Sequence, residues 1–163
     1  MTTVRVQREP FDAGREIEAL HGGDRRVGAI ASFIGTVRDV NDDATVTSLT
    51  LEHYPGMTEN ALQAIVDEAR ERFDVVDVAV IHRIGELRPA DEIVFVAVTS
   101  AHRGEAFDAC RFVMDYLKTR APFWKKETTP EGSRWVEARE SDEKSVDSWQ
   151  SSVGRKNVPS SGV

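Results

Sequence analysis

The sequence predicts an α+β domain, and three observations support this class. The chain has 163 residues, a length that suits one domain with a hydrophobic core. Several segments carry apolar residues in alternation or in short continuous runs, which is typical of β-strands. About three other segments repeat apolar residues at helical spacing. We therefore expect a mixed architecture, whose strand order the sequence leaves open.

The N-terminal half is predicted to hold three strands and two helices. Asp12 is a suitable N-cap for a first helix that ends at Leu20, before the glycine pair that begins at Gly22. A second, amphipathic helix is predicted over Thr58–Phe73. The longest strand is apolar and rich in β-branched residues, so we expect it to be buried. The three strands are Val4–Val6, the long Val27–Val37, and Val46–Tyr54.

The C-terminal half is predicted to hold four strands and one helix. A turn around Gly85 and Pro89 joins the first two strands. The helix begins near Gly104 and ends near Thr119, because Pro122 disfavours its continuation. The strands are Val75–Ile84, Glu92–Thr99 and two short ones near Trp124 and Trp135, which a turn at Thr129–Gly132 connects.

The composition disfavours several classes of protein. A net charge of -7 argues against a general nucleic-acid binder. No apolar run approaches the roughly 20 residues that span a bilayer, and the N-terminus has no apolar signal segment. We therefore expect a cytoplasmic protein that does not associate with membranes. Residues 1–150 are predicted to form the domain, and residues 151–163, rich in Ser, Gly and Pro, to form a disordered tail.

One face of the third helix, which carries the only cysteine, is assigned to the core. Phe107, Cys110, Met114 and Leu117 recur at helical spacing, which is typical of a buried stripe, while Met114 at its edge could also line a pocket. Burial disfavours the thiolate, so Cys110 is a poor candidate for a nucleophile. A single cysteine also cannot form an intrachain disulfide.

Basic residues gather in the last third of this acidic chain. His102 and Arg103 stand where the third helix begins, and the free amides of a helix N-terminus favour anions. The alternative is that they are ordinary solvated residues at a helix start. Lys118 and Lys125 lie on either side of Pro122, so a helix and the next strand can bring them to one anion. A solvated charged face is the alternative here.

Two further arginines and the absence of standard motifs complete this interpretation. Arg38 follows the long strand, where Gly35 could let a ligand approach the backbone, and Arg139 lies near the end of the predicted domain. The chain has no phosphate-binding glycine loop, dinucleotide fingerprint, HExxH motif or nucleophile elbow. The sequence thus offers Lys, Arg and His side chains for an anion, which suits an enzyme whose nucleophile arrives with a partner.

Six sequence blocks, in order, resemble the molybdopterin synthase large (catalytic) subunit family, the MoaE family. They are SFIGTVRD, LEHYPGM, HRIGEL, SAHRGEAFDAC, DYLKTRAPFWKKE and PEGSRWVEAR, within residues 4–142. The resemblance implies an α/β-hammerhead-like single domain with an additional small antiparallel β-sheet. It also implies a homodimer in which each chain binds a small ubiquitin-like sulfur carrier, giving a heterotetramer. The implied activity is that of a sulfurtransferase. It moves sulfur from the carrier's C-terminal thiocarboxylate to cyclic pyranopterin monophosphate and forms the dithiolene of molybdopterin.

The resemblance also implies a set of site residues. Lys118 and Lys125 match the two essential lysines of the family. The implied substrate-binding residues are Arg38, Arg139, the pair His102 and Arg103, which reaches the neighbouring active site across the dimer, and the apolar wall residues Phe33 and Met114. Glu127 lies beside this set. No cofactor and no metal is implied.

Two departures from the family and two alternative functions accompany these expectations. Asp39, Val40 and Asn41 follow Arg38, where family members often carry a histidine, and the chain ends in Val163 rather than in the Gly-Gly of a carrier. The first alternative is a non-catalytic anion- or nucleotide-binding module of the same fold. The second is a sulfurtransferase that uses the thiol of Cys110.

Overall fold

A mixed sheet and an antiparallel sheet, with four strands each, form the framework of the chain. The computed structural model describes residues 2–41, 44–136 and 140–151. The helices are α1 (Ala13–His21), α2 (Met57–Arg72), α3 (Arg103–Arg120) and α4 (Glu140–Ser151). The strands are β1 (Thr3–Gln7), β2 (Ala29–Thr36), β3 (Val40–Asn41), β4 (Ala44–Thr45), β5 (Ser48–His53), β6 (Asp77–Arg83), β7 (Gly85–Leu87), β8 (Glu92–Ser100), β9 (Phe123–Thr129) and β10 (Gly132–Val136). This mixture confirms the α+β prediction.

The mixed sheet has the strand order β1-β6-β8-β2, and helices pack on both of its faces. β1 pairs in parallel with β6, and the other pairs are antiparallel. Side chains of successive strand residues point to opposite faces. Val78 and Val80 of β6 therefore join the core with α2 and α3. Ala79 and Ile81 join a second core cluster, which α1 covers through Leu20.

The antiparallel sheet has the order β10-β9-β5-β7. It corresponds to the additional small sheet that the family resemblance implies. Leu49 and Leu51 of β5 pack with Leu87 of β7 and with Val37 in a third core cluster. β3 and β4 form a separate two-stranded hairpin. Among the described residues, no helix is both long and apolar enough to cross a membrane.

The prediction that the long apolar strand is buried was wrong. β2 is an edge strand that pairs with β8 alone. Ala31 is buried, but Ile30 and Phe33 are each 41% exposed and Ile34 is 39% exposed. An edge strand has a neighbour on one side only, so the helices over the centre of the sheet leave part of it uncovered. Strand composition cannot distinguish this position from a central one.

The predicted core stripe of α3 is correct for Cys110 and Leu117 but wrong for Phe107, which is 64% exposed. The buried line along the first turns of the helix runs instead through Ala106 and Ala109. Phe107 follows Ala106 by one residue, and this step rotates a side chain about 100° around the helix axis. The small alanines let α3 approach the sheet closely, while Phe107 points away from it.

Four elements were absent from the prediction: the short strands β3 and β4, the strand β7 and the helix α4. β7 occupies the segment predicted as a turn, where it pairs with β5. α4 lies near the C-terminus, and its Val146 is buried in the main core, which is the cluster between the mixed sheet and the helices α2 and α3. The predicted tail includes Ser151, which closes α4, whereas residues 152–163 lie outside the described residues.

Trp149 attaches α4 to the rest of the domain. Its indole Nε1 donates a 2.7 Å hydrogen bond to Asp115 Oδ2 on α3. Its ring packs edge-on against Phe73 and Phe112. The guanidinium carbon of Arg72 lies 5.3 Å from the ring centroid, and Arg72 Nη2 donates to the Trp149 carbonyl oxygen at 2.9 Å. These contacts join α4 to both α2 and α3.

Replacing Trp149 by alanine is expected to lower the free energy of unfolding by about 3 kcal/mol, because the ring contacts and the Asp115 hydrogen bond are lost. Trp149→Phe keeps most of the ring contacts and should cost about 1 kcal/mol, the value of the lost hydrogen bond. Urea denaturation measures both effects, with Gln150→Ala at the exposed neighbouring position as the control. An unchanged midpoint for Trp149→Ala would contradict this anchoring role.

Candidate active site

A cavity lies where the end of β2 meets β9. We call it the basic cavity, because Arg38 and Lys125 both line it. Its other polar lining residues include Asn41 and the buried Glu127, and Val37 and Leu49 contribute to its apolar wall. The structure thus brings together two of the predicted site residues, Arg38 and Lys125, and places Glu127 beside them.

Backbone hydrogen bonds hold the segment that carries Arg38. Val37 donates to the Asp91 carbonyl oxygen and accepts from Ala90 N–H, both at 2.9 Å. The β2–β8 register shifts between Gly35 and Thr36. A Cβ at Gly35 would lie 2.7 Å from Val94 Cγ1. Gly35 therefore permits close packing against β8, in contrast to the ligand approach suggested by the sequence.

Strand geometry presents Lys125 and Glu127 to the same cavity. They are two residues apart on β9, so their side chains share one face of the sheet. Lys126 lies on the opposite face, with its ammonium 5.7 Å from the Trp135 ring centroid. The β5–β9 register pairs Leu51 with Lys125 and Leu49 with Glu127.

Glu127 is 2% exposed and takes part in a hydrogen-bonded network. Its Oε1 accepts from Asn41 Nδ2. Its Oε2 accepts from Arg134 Nε at 3.3 Å and from Arg134 Nη2 at 3.2 Å. Arg134 Nη2 also donates to the Asn41 carbonyl oxygen at 3.1 Å. Three strands, β3, β9 and β10, are joined through this one carboxylate.

Lys118 and Arg38 lie at the same end of the mixed sheet. β8 runs from Glu92, which pairs with Thr36, to Ser100, which pairs with Ala29. α3 follows β8 and packs back along the same sheet. The last turn of α3 therefore returns to the Arg38 end, where Lys118 is exposed to solvent.

His82 connects the surroundings of the two lysines. It is 6% exposed, and its ring stacks on Phe123 with centroids 3.9 Å apart. Phe123 precedes Lys125 by two residues on β9. The positive charge of Lys118 also acts on His82. A buried imidazole thus lies against the first residue of β9, between α3, which carries Lys118, and the part of β9 that carries Lys125.

Burial keeps the His82 ring neutral. Loss of hydration lowers its pKa from 6.5 to about 4, and the charges of Lys118 and His53 act in the same direction. The hydrogen bond to the Arg83 carbonyl oxygen, 2.7 Å from Nδ1, opposes the shift. Because a carbonyl only accepts, Nδ1 carries the proton of the neutral ring.

His102 and Arg103 lie far from the basic cavity of their own chain. Both are exposed at the start of α3. Arg103 precedes Lys118 by fifteen residues, which places the two Cα atoms about 22 Å apart along a helix. The structure therefore does not bring this pair to Lys118 within one chain.

The remaining predicted residues lie outside the lining of the basic cavity or outside the described residues. Phe33 is on the exposed edge strand, and Met114 is 8% exposed in the main core. Neither is among the described residues that line the cavity. Arg139 lies outside the described residues. No group of three or more His, Cys, Asp or Glu side chains in the described part of the chain could hold a metal ion.

Sequence reasoning missed Asn41, His82 and Arg134. A signal for Arg134 was available, because the predicted turn at Thr129–Gly132 fixes the hairpin register. Counting outward from that turn places Arg134 opposite Glu127, as the β9–β10 pairing has it. No comparable signal exists for His82 or Asn41, since their partners are more than forty residues away in sequence.

The sequence and the fold are similar to those of known proteins. A sequence model described as MoaE protein matches residues 6–120. The molybdopterin synthase catalytic subunit of Ralstonia nicotianae is 61% identical over 149 residues, which cover 91% of this chain and 85% of that protein. The Escherichia coli protein of the same name is 60% identical over 148 residues, which cover 91% of this chain and 98% of that protein.

Solved structures agree with these sequence comparisons. The molybdopterin biosynthesis MoaE protein from Burkholderia ambifaria superposes with a TM-score of 0.79 at 53% identity, covering 92% of this chain and 99% of that one. A complex of subunits 1 and 2 of molybdopterin-converting factor from Helicobacter pylori gives a TM-score of 0.68 at 18% identity, covering 83% and 90%. At that identity the second comparison shows the fold alone.

The neutral His82 predicts a loss of stability in mild acid. Because its folded pKa is about 4, below the unfolded value of 6.5, only the unfolded chain binds this proton between those pH values. The free energy of unfolding should therefore fall as the pH decreases from 6.5 to 4, by about 3 kcal/mol in total. His82→Asn replaces the imidazole with a group that does not titrate.

Urea denaturation of the wild type and His82→Asn at intervals from pH 7.5 to pH 4 tests this expectation. The variant should be less stable at neutral pH, because the stacking on Phe123 is lost, but its stability should depend less on pH. His21→Asn, which alters a histidine in the last turn of α1, is the control. Parallel pH profiles for the wild type and His82→Asn would show that His82 does not titrate as described.

Proposed function

Because this chain belongs to the MoaE protein family, we propose that it is the catalytic subunit of a molybdopterin synthase. In this role it transfers sulfur from the C-terminal thiocarboxylate of a small ubiquitin-like carrier to cyclic pyranopterin monophosphate. Two such transfers form the dithiolene of molybdopterin. The observation that carries the proposal is the convergence of Arg38 and Lys125 in one cavity, with Lys118 at the same end of the sheet.

The charge of the reactants explains why this convergence matters. The pyranopterin carries a phosphate and the carrier tail ends in a thiocarboxylate, so two anions must meet in one site. Fixed cations lower their mutual repulsion, and they do so more strongly where water is excluded. Arg38 offers a planar fork of donors for a phosphate, and Lys125 offers a compact charge beside it.

We assign different roles to the two lysines. Lys118 orients the thiocarboxylate and assists proton transfer at the pterin carbon that the sulfur attacks. Lys125 stabilises the negative charge that develops during the attack. The neighbouring His82 is neutral at physiological pH, so it adds no positive charge that would compete for the anions.

Two features of the fold support action as a homodimer. His102 and Arg103 are about 22 Å from Lys118 along α3, so they bind substrate only in the site of a second copy. The edge strand β2 exposes three large apolar side chains, those of Ile30, Phe33 and Ile34, which a second copy would cover. Each chain also binds one carrier, which gives a heterotetramer. We place the reaction in the cytoplasm.

Reconstitution tests the proposed activity. The chain is mixed with a thiocarboxylated carrier from the same genome and with cyclic pyranopterin monophosphate, and molybdopterin is measured as its fluorescent oxidised derivative. We expect product only when all three components are present. A stable complex with the carrier but no product would favour the non-catalytic binding module. Absence of both complex and product would refute the proposal.

Lys118→Ala and Lys125→Ala are each expected to lower the transfer rate about 100-fold or more, because each removes a cation that stabilises the reacting groups. Single-turnover assays measure the rate, and size-exclusion chromatography shows whether the carrier still binds. Lys126→Ala is the matched control, since this lysine is adjacent to Lys125 but lies on the other face of β9 and contacts Trp135. Full activity of either site variant would remove that lysine from the mechanism.

The thiol of Cys110 is expected to be dispensable. Cys110 is 7% exposed in the main core, and burial raises its pKa to about 11, so almost no thiolate forms at neutral pH. Cys110→Ala should keep sulfur transfer within about threefold of the wild-type rate and destabilise the fold by about 1 kcal/mol. The same reconstitution measures the rate, and complete loss of transfer in a folded variant would support the thiol-dependent alternative.

A further inference from the structure

We propose that Arg134 is a positioning residue that compensates the buried charge of Glu127 and so preserves the positive character of the basic cavity. This inference rests on the proposed function for the identity of the anions. Whichever anion binds, the cavity that receives it contains Arg38, Lys125 and a buried carboxylate.

Glu127 poses an electrostatic problem for an anion site. It is 2% exposed and lines the same cavity as Arg38 and Lys125. An uncompensated carboxylate in this position would repel a phosphate or thiocarboxylate, and little water is available to screen it. It would also attract Lys125, which lies two residues away on the same face of β9. A carboxylate is compatible with anion binding here only if another cation offsets its charge.

Arg134 meets this requirement through its geometry. It lies directly opposite Glu127 in the β9–β10 register, and two of its nitrogens donate to Oε2 at 3.2 and 3.3 Å. The Asn41 side chain donates to the other oxygen, Oε1. Both carboxylate oxygens are therefore hydrogen-bonded. The side chain of Arg134 is 43% exposed, compared with 3% for Glu127, so the guanidinium covers the carboxylate from the solvent side.

Arg134 also connects the network to the segment that carries Arg38. Its Nη2 donates to the Asn41 carbonyl oxygen at 3.1 Å, and Asn41 is three residues after Arg38. Neutral residues in place of both Glu127 and Arg134 would leave the total charge of the cavity region unchanged, because one negative and one positive charge are removed together. Removal of Arg134 alone would leave one additional negative charge beside the anion site. Comparison of the double substitution with the loss of Arg134 alone therefore distinguishes compensation of charge from a purely structural contribution.

The experiment compares Arg134→Gln, Arg134→Lys, Glu127→Gln and the double variant Arg134→Gln/Glu127→Gln in the reconstituted assay. We expect Arg134→Gln to raise KM for cyclic pyranopterin monophosphate about 10-fold or more, with a smaller effect on kcat. Arg134→Lys keeps the charge and should recover most of the loss. The double variant should have a KM within about threefold of that of Glu127→Gln. Arg15→Gln removes an exposed arginine of α1 that does not line the cavity and should leave KM unchanged.

Titration with inorganic phosphate, followed by calorimetry at low salt, measures the anion affinity of the same variants without any transfer step. We expect weaker phosphate binding in Arg134→Gln and recovery in the double variant. If the wild type binds phosphate but makes no product, the proposed function is refuted. The phosphate affinities of the variants then test the role of Arg134 on their own. Circular dichroism establishes that each variant is folded.

Three outcomes would overturn the inference. The first is Arg134→Gln with unchanged KM and unchanged phosphate affinity. The second is a double variant as impaired as Arg134→Gln alone, which would show that Arg134 acts through structure and not through the charge of Glu127. The third is Arg134→Lys as impaired as Arg134→Gln, which would show that the shape of the guanidinium matters and its charge does not.

Discussion

The packing of α3 along the mixed sheet determines where the candidate functional residues lie. Alanines at the start of the helix, Ala106 and Ala109, let it approach the sheet closely. Because it follows β8 and runs back along it, its last turn returns to the end of β2 that carries Arg38. Its first turn remains at the opposite end. One helix of 18 residues therefore places Lys118 at the Arg38 end of the mixed sheet and Arg103 at the opposite end, about 22 Å away.

The second determining feature is the balance of charge around the basic cavity. An acidic chain with a net charge of -7 has to create a local excess of positive charge if it is to bind two anions. Arg38 and Lys125 line the cavity, and Lys118 lies at the same end of the mixed sheet. Glu127 opposes that excess of positive charge from a buried position, where unpaired charges are strongly unfavourable. The cross-strand contact with Arg134 and the hydrogen bond from Asn41 make this carboxylate compatible with its surroundings.

The edge of the mixed sheet connects the fold to assembly. β2 has the apolar composition of a buried strand, yet three of its large side chains are exposed in the single chain. The proposed homodimer would account for this exposure, because a second copy would cover the apolar side chains. The separation of the two cationic ends of α3 supports the same proposal, because residues at one end of the helix lie about 22 Å from those at the other.

Local sequence patterns predicted most of the helices and strands. Helical spacing, the Asp12 cap and the glycines after it gave the helices α1 to α3 nearly to their ends, and alternation gave most strands. The multi-block resemblance also identified the family and the candidate lysines. These features could be predicted because each depends on residues close together in sequence.

Only the tertiary structure decided which strand lies at an edge, that α4 docks through Trp149, and that Phe107 points into solvent. It also decided that Glu127 is buried between Asn41 and Arg134, and that His82 is neutral beneath Phe123. Each of these facts depends on the order in which strands pair and on which helix covers them. Burial and charge pairing arise between groups that are distant in sequence, so no periodicity within a single segment records them.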